Sequence, residues 1–490
     1  MKTNYLLLSA LLGLVASGCV VGPEYHRPET AVPPHWSEPL AGGETNAPAA
    51  LAEWWKSFHD PELDSLVQRA VESNLDLRLA RARVRAARVE YQIASANLWP
   101  SADASGSYSR EQASHHQPVL GSLPIPASVP FENNVYQAGL DASWEIDVFG
   151  GKRRQTQAAQ AEATASEFGR DDVVLTLLGD VARNYTDLRG YQRELAITKE
   201  NTTAQEQALA ITRERFAHGL TSDLDVQQAA TVLSTTRASV PVLENAIQAA
   251  MNRLAVLLGQ PPGALLAELA NAAPLPPTPP SVPLGLPSDL LLRRPDVRQA
   301  ERRLAAATAN IGVAKADLFP RFSLTGAAGL ESVSASDWFT SGSKFWSIGP
   351  TVQWRIFDAG RIRANIKVKT ALQEQALAAY EQTTLRAFED VENAMVAYAK
   401  EQTRRDSLAQ AATTSQNSLN LARRLYTSGL TDFVNVLDAE RSLYQTQDQL
   451  AQSDRIISAD LIALYKALGG GWETMASHGA LARVEDTHTR

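Results

Sequence analysis

Arg215-Phe216-Ala217-His218-Gly219-Leu220-Thr221 returns further down the chain as Arg424-Leu425-Tyr426-Thr427-Ser428-Gly429-Leu430-Thr431, with the two glycines 210 residues apart. Trp144 and Trp354 are also 210 apart, and so are Gly259 and Gly469. Upstream, Ala96-Asn97-Leu98-Trp99-Pro100 matches Ala316-Asp317-Leu318-Phe319-Pro320 at an offset of 220, which places ten extra residues of the first copy between Pro100 and Trp144. A period this long is not that of a solenoid, whose units run to about 20–45 residues. It means two structurally equivalent halves in tandem.

Within each half the hydrophobic period switches. From Tyr136 the apolar residues alternate through Ala138, Leu140, Ala142, Trp144, Ile146 and Val148, with Gln137, Gly139, Asp141, Ser143, Glu145 and Asp147 between them. Period two predicts a strand with one apolar and one polar face. The second half repeats the pattern with Trp346, Ile348, Val352, Trp354 and Ile356 against Ser347, Thr351, Gln353 and Arg355. A further candidate strand precedes each, at about 102–109 and 322–330, so each half holds one β-hairpin, over about 102–148 and 321–357. The ten extra residues fall in the first hairpin's loop, near 121–130.

A long helical pattern follows each hairpin. Residues 151–216 contain no proline, and Val174, Leu178, Val181, Tyr185, Leu188 and Leu195 are spaced 4, 3, 4, 3 and 7. Leu385, Phe388, Val391, Met395 and Tyr398 follow at 3, 3, 4 and 3 in the second half. This alternation predicts coiled-coil helices, and some 60 residues at ~1.5 Å each make a rod of about 90 Å. Gly219 and Gly429 stand where a helix end takes a left-handed residue. Thr221/Ser222 and Thr431/Asp432 are of N-cap type for the return helices, which run to Gly259 and Gly469. A helix also precedes each hairpin, roughly 61–98 and 295–318, and a proline-rich connector at 261–287 separates the halves.

Composition excludes whole classes. The chain has 490 residues, of which 44% are hydrophobic and 20% charged, so it is not disordered. A net charge of −8 without a basic block argues against nucleic acid as partner. One cysteine rules out a disulfide framework and a thiolate metal cluster within one chain. No Ser/His/Asp, Cys/His or metal constellation stands in a usable context, so no enzyme activity and no metal or cofactor is expected. His115-His116 fall in the predicted outer loop as bystanders, and Gly469-Gly470-Gly471 lacks a P-loop's lysine.

The N-terminus reads as an address. Met1-Lys2, an apolar run from Tyr5 to Val15, and Ala16-Ser17-Gly18-Cys19 resemble a bacterial lipoprotein signal, and the chain's single cysteine stands at that point. The resemblance implies removal of residues 1–18 and acylation of Cys19, with outer-membrane sorting because Val20 stands where an inner-membrane lipoprotein carries aspartate. Several acyl chains, at ~0.8 kcal/mol per buried CH₂, make a stable anchor. The proline-spaced stretch 21–39 predicts an extended strap.

A hairpin with one apolar face, in a lipoprotein sent to an outer membrane, suggests transmembrane β-structure. Open sheet edges cannot sit in lipid, and the smallest such barrels have ~8 strands, so several chains must share one barrel. A soluble sandwich of hairpins packed on helices is the alternative.

The sequence resembles the TolC-like outer-membrane factor family in its OprM/NodT-type lipoprotein branch. Trp54-Trp55 with Phe58, Asp60-Pro61 and Leu63 carry the resemblance, as do Asp289-Leu290-Leu291, Arg294-Pro295-Asp296-Val297 and Ala300-Glu301. Phe357-Asp358-Ala359-Gly360, Val436-Leu437-Asp438-Ala439 with Leu443, and Leu464-Tyr465-Lys466-Ala467-Leu468-Gly469-Gly470-Gly471-Trp472 extend it over nearly the whole mature chain. The resemblance implies a mainly α fold with a membrane β-barrel part: a homotrimer forming a twelve-stranded barrel and a helical periplasmic tunnel. It implies docking on a periplasmic adaptor and an inner-membrane RND-type transporter, with passive exit of small molecules such as drugs or toxic compounds.

The implied layout is a signal peptide at 1–18, an anchored segment at 19–61, repeat 1 at 62–258, a connector at 259–291, repeat 2 at 292–470 and a tail at 471–490. Gly219-Leu220-Thr221 and Gly429-Leu430-Thr431 would meet the adaptor at the periplasmic tips. Gating in the family occurs at this end. Asp225 and Tyr426 match positions that link helices in the closed state, and Asn435 and Asp438 match a lumen-facing acidic constriction. Arg441 can reach Asp438 at i,i+3, and symmetry copies of Asp438 near one axis would favour cation binding. Two departures stand out. Asn435 replaces a second aspartate, and Thr431 replaces an arginine partner for Asp225, which leaves Val434 and Leu437 as an apolar constriction instead. Two other readings stand beside an efflux duct: an exit duct for type I secretion or oligosaccharide export, and a non-pore periplasmic coiled-coil scaffold.

Overall fold

A computed structural model describes residues 20–30, 32–37, 44–45, 51–112, 132–279 and 282–473. Cys19 and the signal segment, the first hairpin's loop with His115 and His116, and the tail beyond residue 473 lie outside the described residues.

The tandem repeat is metrical. Helices α3 (Gly151–Ala217) and α8 (Arg361–Thr427) have 67 residues each, and their return helices α4 (Asp223–Leu257) and α9 (Phe433–Ala467) have 35 each. The hairpins are β2 (Ser101–Gln112) with β3 (Glu132–Ile146), and β5 (Arg321–Ser332) with β6 (Lys344–Gln353). Helices α1 (Pro61–Ser73) and α2 (Leu75–Ala96) precede the first hairpin, and α7 (Pro295–Ala316) precedes the second. The connector holds the short helices α5 (Leu266–Leu269) and α6 (Pro287–Arg293), and β4 (Val282–Pro283), which pairs in parallel with β1 (Glu44–Thr45).

Two expectations about elements need correction. The single helix expected over 61–98 is broken at Asn74, whose Oδ1 accepts from Leu77 N at 2.9 Å and caps α2. Its Nδ2 donates to Leu257 O at 2.8 Å, so a buried asparagine ties the break to the end of α4. The last strand stops at Gln353, so Trp354 and Ile356 lie beyond it.

The chain divides into two compact units. The first takes Met1–Pro28, Arg85–Ala165 and Glu301–Ala379. It contains one antiparallel sheet in the order β2-β3-β5-β6, in which the β3–β5 pair joins the repeats and sets Leu140 opposite Ala328 and Trp144 opposite Leu324. The apolar face of this sheet is bare: Leu140, Trp346, Ile348 and Val352 are 60–77% exposed. The sandwich alternative fails here, because no helix covers the face among the described residues. At one end of the sheet Trp144 Nε1 donates to Leu98 O at 2.9 Å and Trp354 Nε1 to Leu318 O at 3.1 Å. Both repeats thus close the end of the hairpin onto the turn that entered it. Residues 21–28 of the strap form neither helix nor strand, and Val21 N donates to Phe149 O at 3.0 Å.

The second unit takes Glu29–Val84, Ser166–Ala300 and Tyr380–Arg490. Of the seam read from spacing, Val174, Leu178, Val181, Tyr185 and Leu188 are buried to within 1% and Leu195 is half-buried; in the second half Val391, Met395 and Tyr398 are buried, whereas Leu385 is 66% exposed and lies off the seam. The buried ones pack with Trp54, Phe58, Leu254 and Leu461 in the main core. Tyr185 donates to Asp60 Oδ2 at 2.7 Å while Asp60 Oδ1 caps α1. Arg294 of the Arg-Pro-Asp motif gathers Asp296 at 2.7 Å, Asp390 at 2.9 Å and Ala467 O at 3.3 Å, which ties the junction of α6 and α7 to the middle of α8 and the end of α9. Among the described residues no helix is long and apolar enough to cross a membrane.

Candidate functional site

The helical turns of the second unit gather most of the residues singled out above. Each long helix ends in the same motif. Leu220 N donates to Arg215 O at 2.8 Å and Gly219 N to Phe216 O at 2.8 Å; in the second repeat Leu430 N reaches Leu425 O at 2.9 Å and Gly429 N reaches Tyr426 O at 3.0 Å. This paired closure needs a left-handed residue, and Gly219 and Gly429 have φ of +73° and +72°. Leu220 and Leu430 project from the turns, 64% and 74% exposed.

Beneath the turns lies an apolar cluster of Leu209, Val226, Leu233, Leu419, Phe433, Val436, Leu437 and Leu443, with Tyr426 packed against it. Leu437 is 4% exposed inside this cluster, with its side chain packed between helices. Val434 is 40% exposed, and Asp438 and Arg441 are exposed together, 3.6 Å apart.

The two turns use their polar groups differently. In the first, Ser222 caps α4 in a reciprocal box with Asp225. The Asp225 carboxylate accepts from the Thr221 hydroxyl, from Ser222 N at 3.1 Å and from Ser222 Oγ at 3.0 Å. Burial disfavours its charge, but these hydrogen bonds outweigh burial and hold the carboxyl below the ordinary aspartate value. In the second turn the Asp432 side chain makes no cap, and Asn435 Nδ2 donates to Thr431 Oγ1 at 2.8 Å. Tyr426 crosses between repeats: the Arg215 guanidinium carbon lies 4.6 Å from its ring centre, and the Phe433 ring lies 5.2 Å away.

Residues 66–260 and 286–470, one segment in each repeat, match the family described as outer membrane efflux protein. The chain belongs to that family. It is 32% identical over 471 residues to nodulation protein T of Rhizobium leguminosarum bv. trifolii, covering 95% of this chain and 97% of the relative. It is 34% identical over 482 residues to the solvent efflux pump outer membrane protein SrpC of Pseudomonas putida, covering 96% and 99%. The structure of the outer-membrane channel OprN superposes with a TM-score of 0.87 at 36% identity, covering 93% of this chain and all of that one. As an outer membrane efflux protein, this chain is an exit duct of a tripartite efflux system in the outer membrane, and not an enzyme.

Sequence reasoning missed three members of the efflux protein's tip. Arg215 belongs to the repeat, but its repeat mate is the apolar Leu425, and that difference between the copies is the signal available in the sequence. Phe433 begins α9 and supports Tyr426. Glu440, 7% exposed, is held by Arg423 at 2.8 Å across the second hairpin, a pairing no spacing rule along one helix can give.

Proposed function

We propose that three copies of this chain build one duct: a twelve-stranded barrel in the outer membrane continued by a helical tunnel, gated at the paired turns. The carrying observation is the sheet's bare apolar face with two open outer strands. Four strands cannot close a barrel, and an edge cannot face lipid. Tyr108, Tyr136, Trp338 and Phe339 cluster at one end of the sheet, with ring centres 4.9–5.9 Å apart between neighbours. Trp144 and Trp354 mark the other end. Tyr136 and Trp144 are eight residues apart on one strand, about 27 Å at ~3.4 Å per residue. That is the scale of the ~25 Å apolar band between the aromatic girdles of such barrels.

Cys19 carries the lipid anchor, and the exposed Leu220 and Leu430 with their turns meet a periplasmic adaptor that couples the duct to an inner-membrane RND-type pump. The cargo is small molecules of the kind a solvent efflux relative exports. Asp438, paired with Arg441 and repeated around a threefold axis, forms a cation-selective constriction with Asn435 and Val434 beside it. Single-channel conductance of the acylated protein in planar bilayers tests this. Wild type is expected to give a small cation-preferring conductance, and Asp438→Ala to raise it or lose selectivity. Conductance insensitive to Asp438 moves the constriction elsewhere, and folded trimers that form no channel favour the scaffold reading.

A further inference from the structure

The polar groups of the two turns isolate one arginine. Asp225 uses its carboxylate within its own turn, and Asn435, its repeat mate, bonds back to Thr431. Neither reaches the other hairpin. Arg215 does. It stands four residues before Gly219, and its guanidinium covers the ring of Tyr426, three residues before Gly429, at 4.6 Å. Tyr426 is braced from behind by Phe433, which is 6% exposed. The Tyr426 hydroxyl and Arg215 Nε are both shielded from water and make no hydrogen bond. The ring face, and not the hydroxyl, therefore carries the contact, and a guanidinium over a tyrosine face is attracted by the ring quadrupole. Movement of one turn away from the other must break it.

We infer that Arg215 is a positioning residue of the gate, whose cation–π contact with Tyr426 holds the two repeats' turns together in the resting duct. This rests on the proposed duct and its gate at these turns. A desolvated contact of this kind biases a two-state equilibrium by roughly five- to thirtyfold.

Four variants of the full acylated protein, compared in planar bilayers, test the assignment. Arg215→Met keeps the apolar stem and removes the charge, and Tyr426→Leu removes the ring; both are expected to raise the open fraction at least about fivefold. Arg215→Lys keeps a cation and should stay largely closed. Tyr426→Phe keeps the ring, loses only the unbonded hydroxyl, and should match wild type. If Tyr426→Phe opens as far as Tyr426→Leu, a hydroxyl link holds the gate and the inference fails. Wild-type behaviour of Arg215→Met in intact trimers also overturns it, while leaving the duct. If Arg215→Met does not fold, Arg215→Gln decides in the same way. Failure of the wild type itself to conduct overturns both the duct and the contact.

Discussion

Asp460 illustrates how a single side chain registers its surroundings. It lies half-buried on α9, and its carboxyl is pushed up to about 6, first by burial and then by the nearby Glu401, against the pull of Arg183. Its folded pKa thus lies above the ordinary 3.8. The uncharged form is the better tolerated one, so the fold is favoured at low pH and loses that advantage as pH rises through about 6. Asp460→Asn is accordingly expected to raise the unfolding temperature at pH 7.5, with the gain fading at about pH 4, measured by circular dichroism in detergent. A gain independent of pH would assign the effect to packing instead. Asp225 has the opposite sign: its depressed pKa lets the first turn's cap persist as pH falls below the ordinary aspartate range. At this scale the Asp438–Arg441 pair was legible, because i,i+3 spacing on one helix suffices. Leu437 was not: which of two adjacent helix positions faces a neighbour depends on where the neighbour is.

At the scale of elements, close approach explains what periodicity leaves open. Gly190, in the middle of α3, lies against the stem of Arg455 on α9: a Cβ there would meet its Cδ at 2.2 Å and its Cγ at 2.6 Å. The missing side chain lets Arg455 reach Asp187 at 2.9 Å and Glu194 at 3.2 Å. Glu194 is 4% exposed, and burial raises its pKa in spite of the arginine. Gly190→Ala gains helix propensity but displaces the stem and strands a buried carboxylate. Overpacking costs typically 1–3 kcal/mol and breaking a buried pair costs more, so a net loss of about 2 kcal/mol is expected. Thermal unfolding checks it, and a stabilised variant would show that propensity wins. Helix lengths and both turns were readable from the repeat, since caps and left-handed glycines are local chemistry. The break at Asn74 was not, because Asn74 is fixed by Leu257 O, 183 residues away.

For the whole molecule, the outer strands β2 and β6 each present an edge that no other strand pairs with among the described residues. Such edges template pairing with another copy. If the barrel closes by three chains, the assembly should hold together without its lipid. Cys19→Ser is therefore expected to lose the acyl mass by intact mass spectrometry and weaken membrane retention, yet still give a trimer by native mass spectrometry in detergent. Dissociation to monomers on loss of the lipid would show that the anchor, and not strand pairing, supplies assembly.

The sequence alone determined what is local or periodic. The two equivalent halves, the hairpins followed by long helical pairs and the glycine turns all follow from spacing, caps and side-chain alternation. The tertiary structure decided which side chains remain available. It placed Leu437 between helices, confined Asp225 to its own turn, and left the sheet's apolar face bare. It also brought Arg215 onto Tyr426 across 211 residues of chain. Contacts between distant segments depend on how helices pack, and a helical period gives the facing side only to within the width of a stripe.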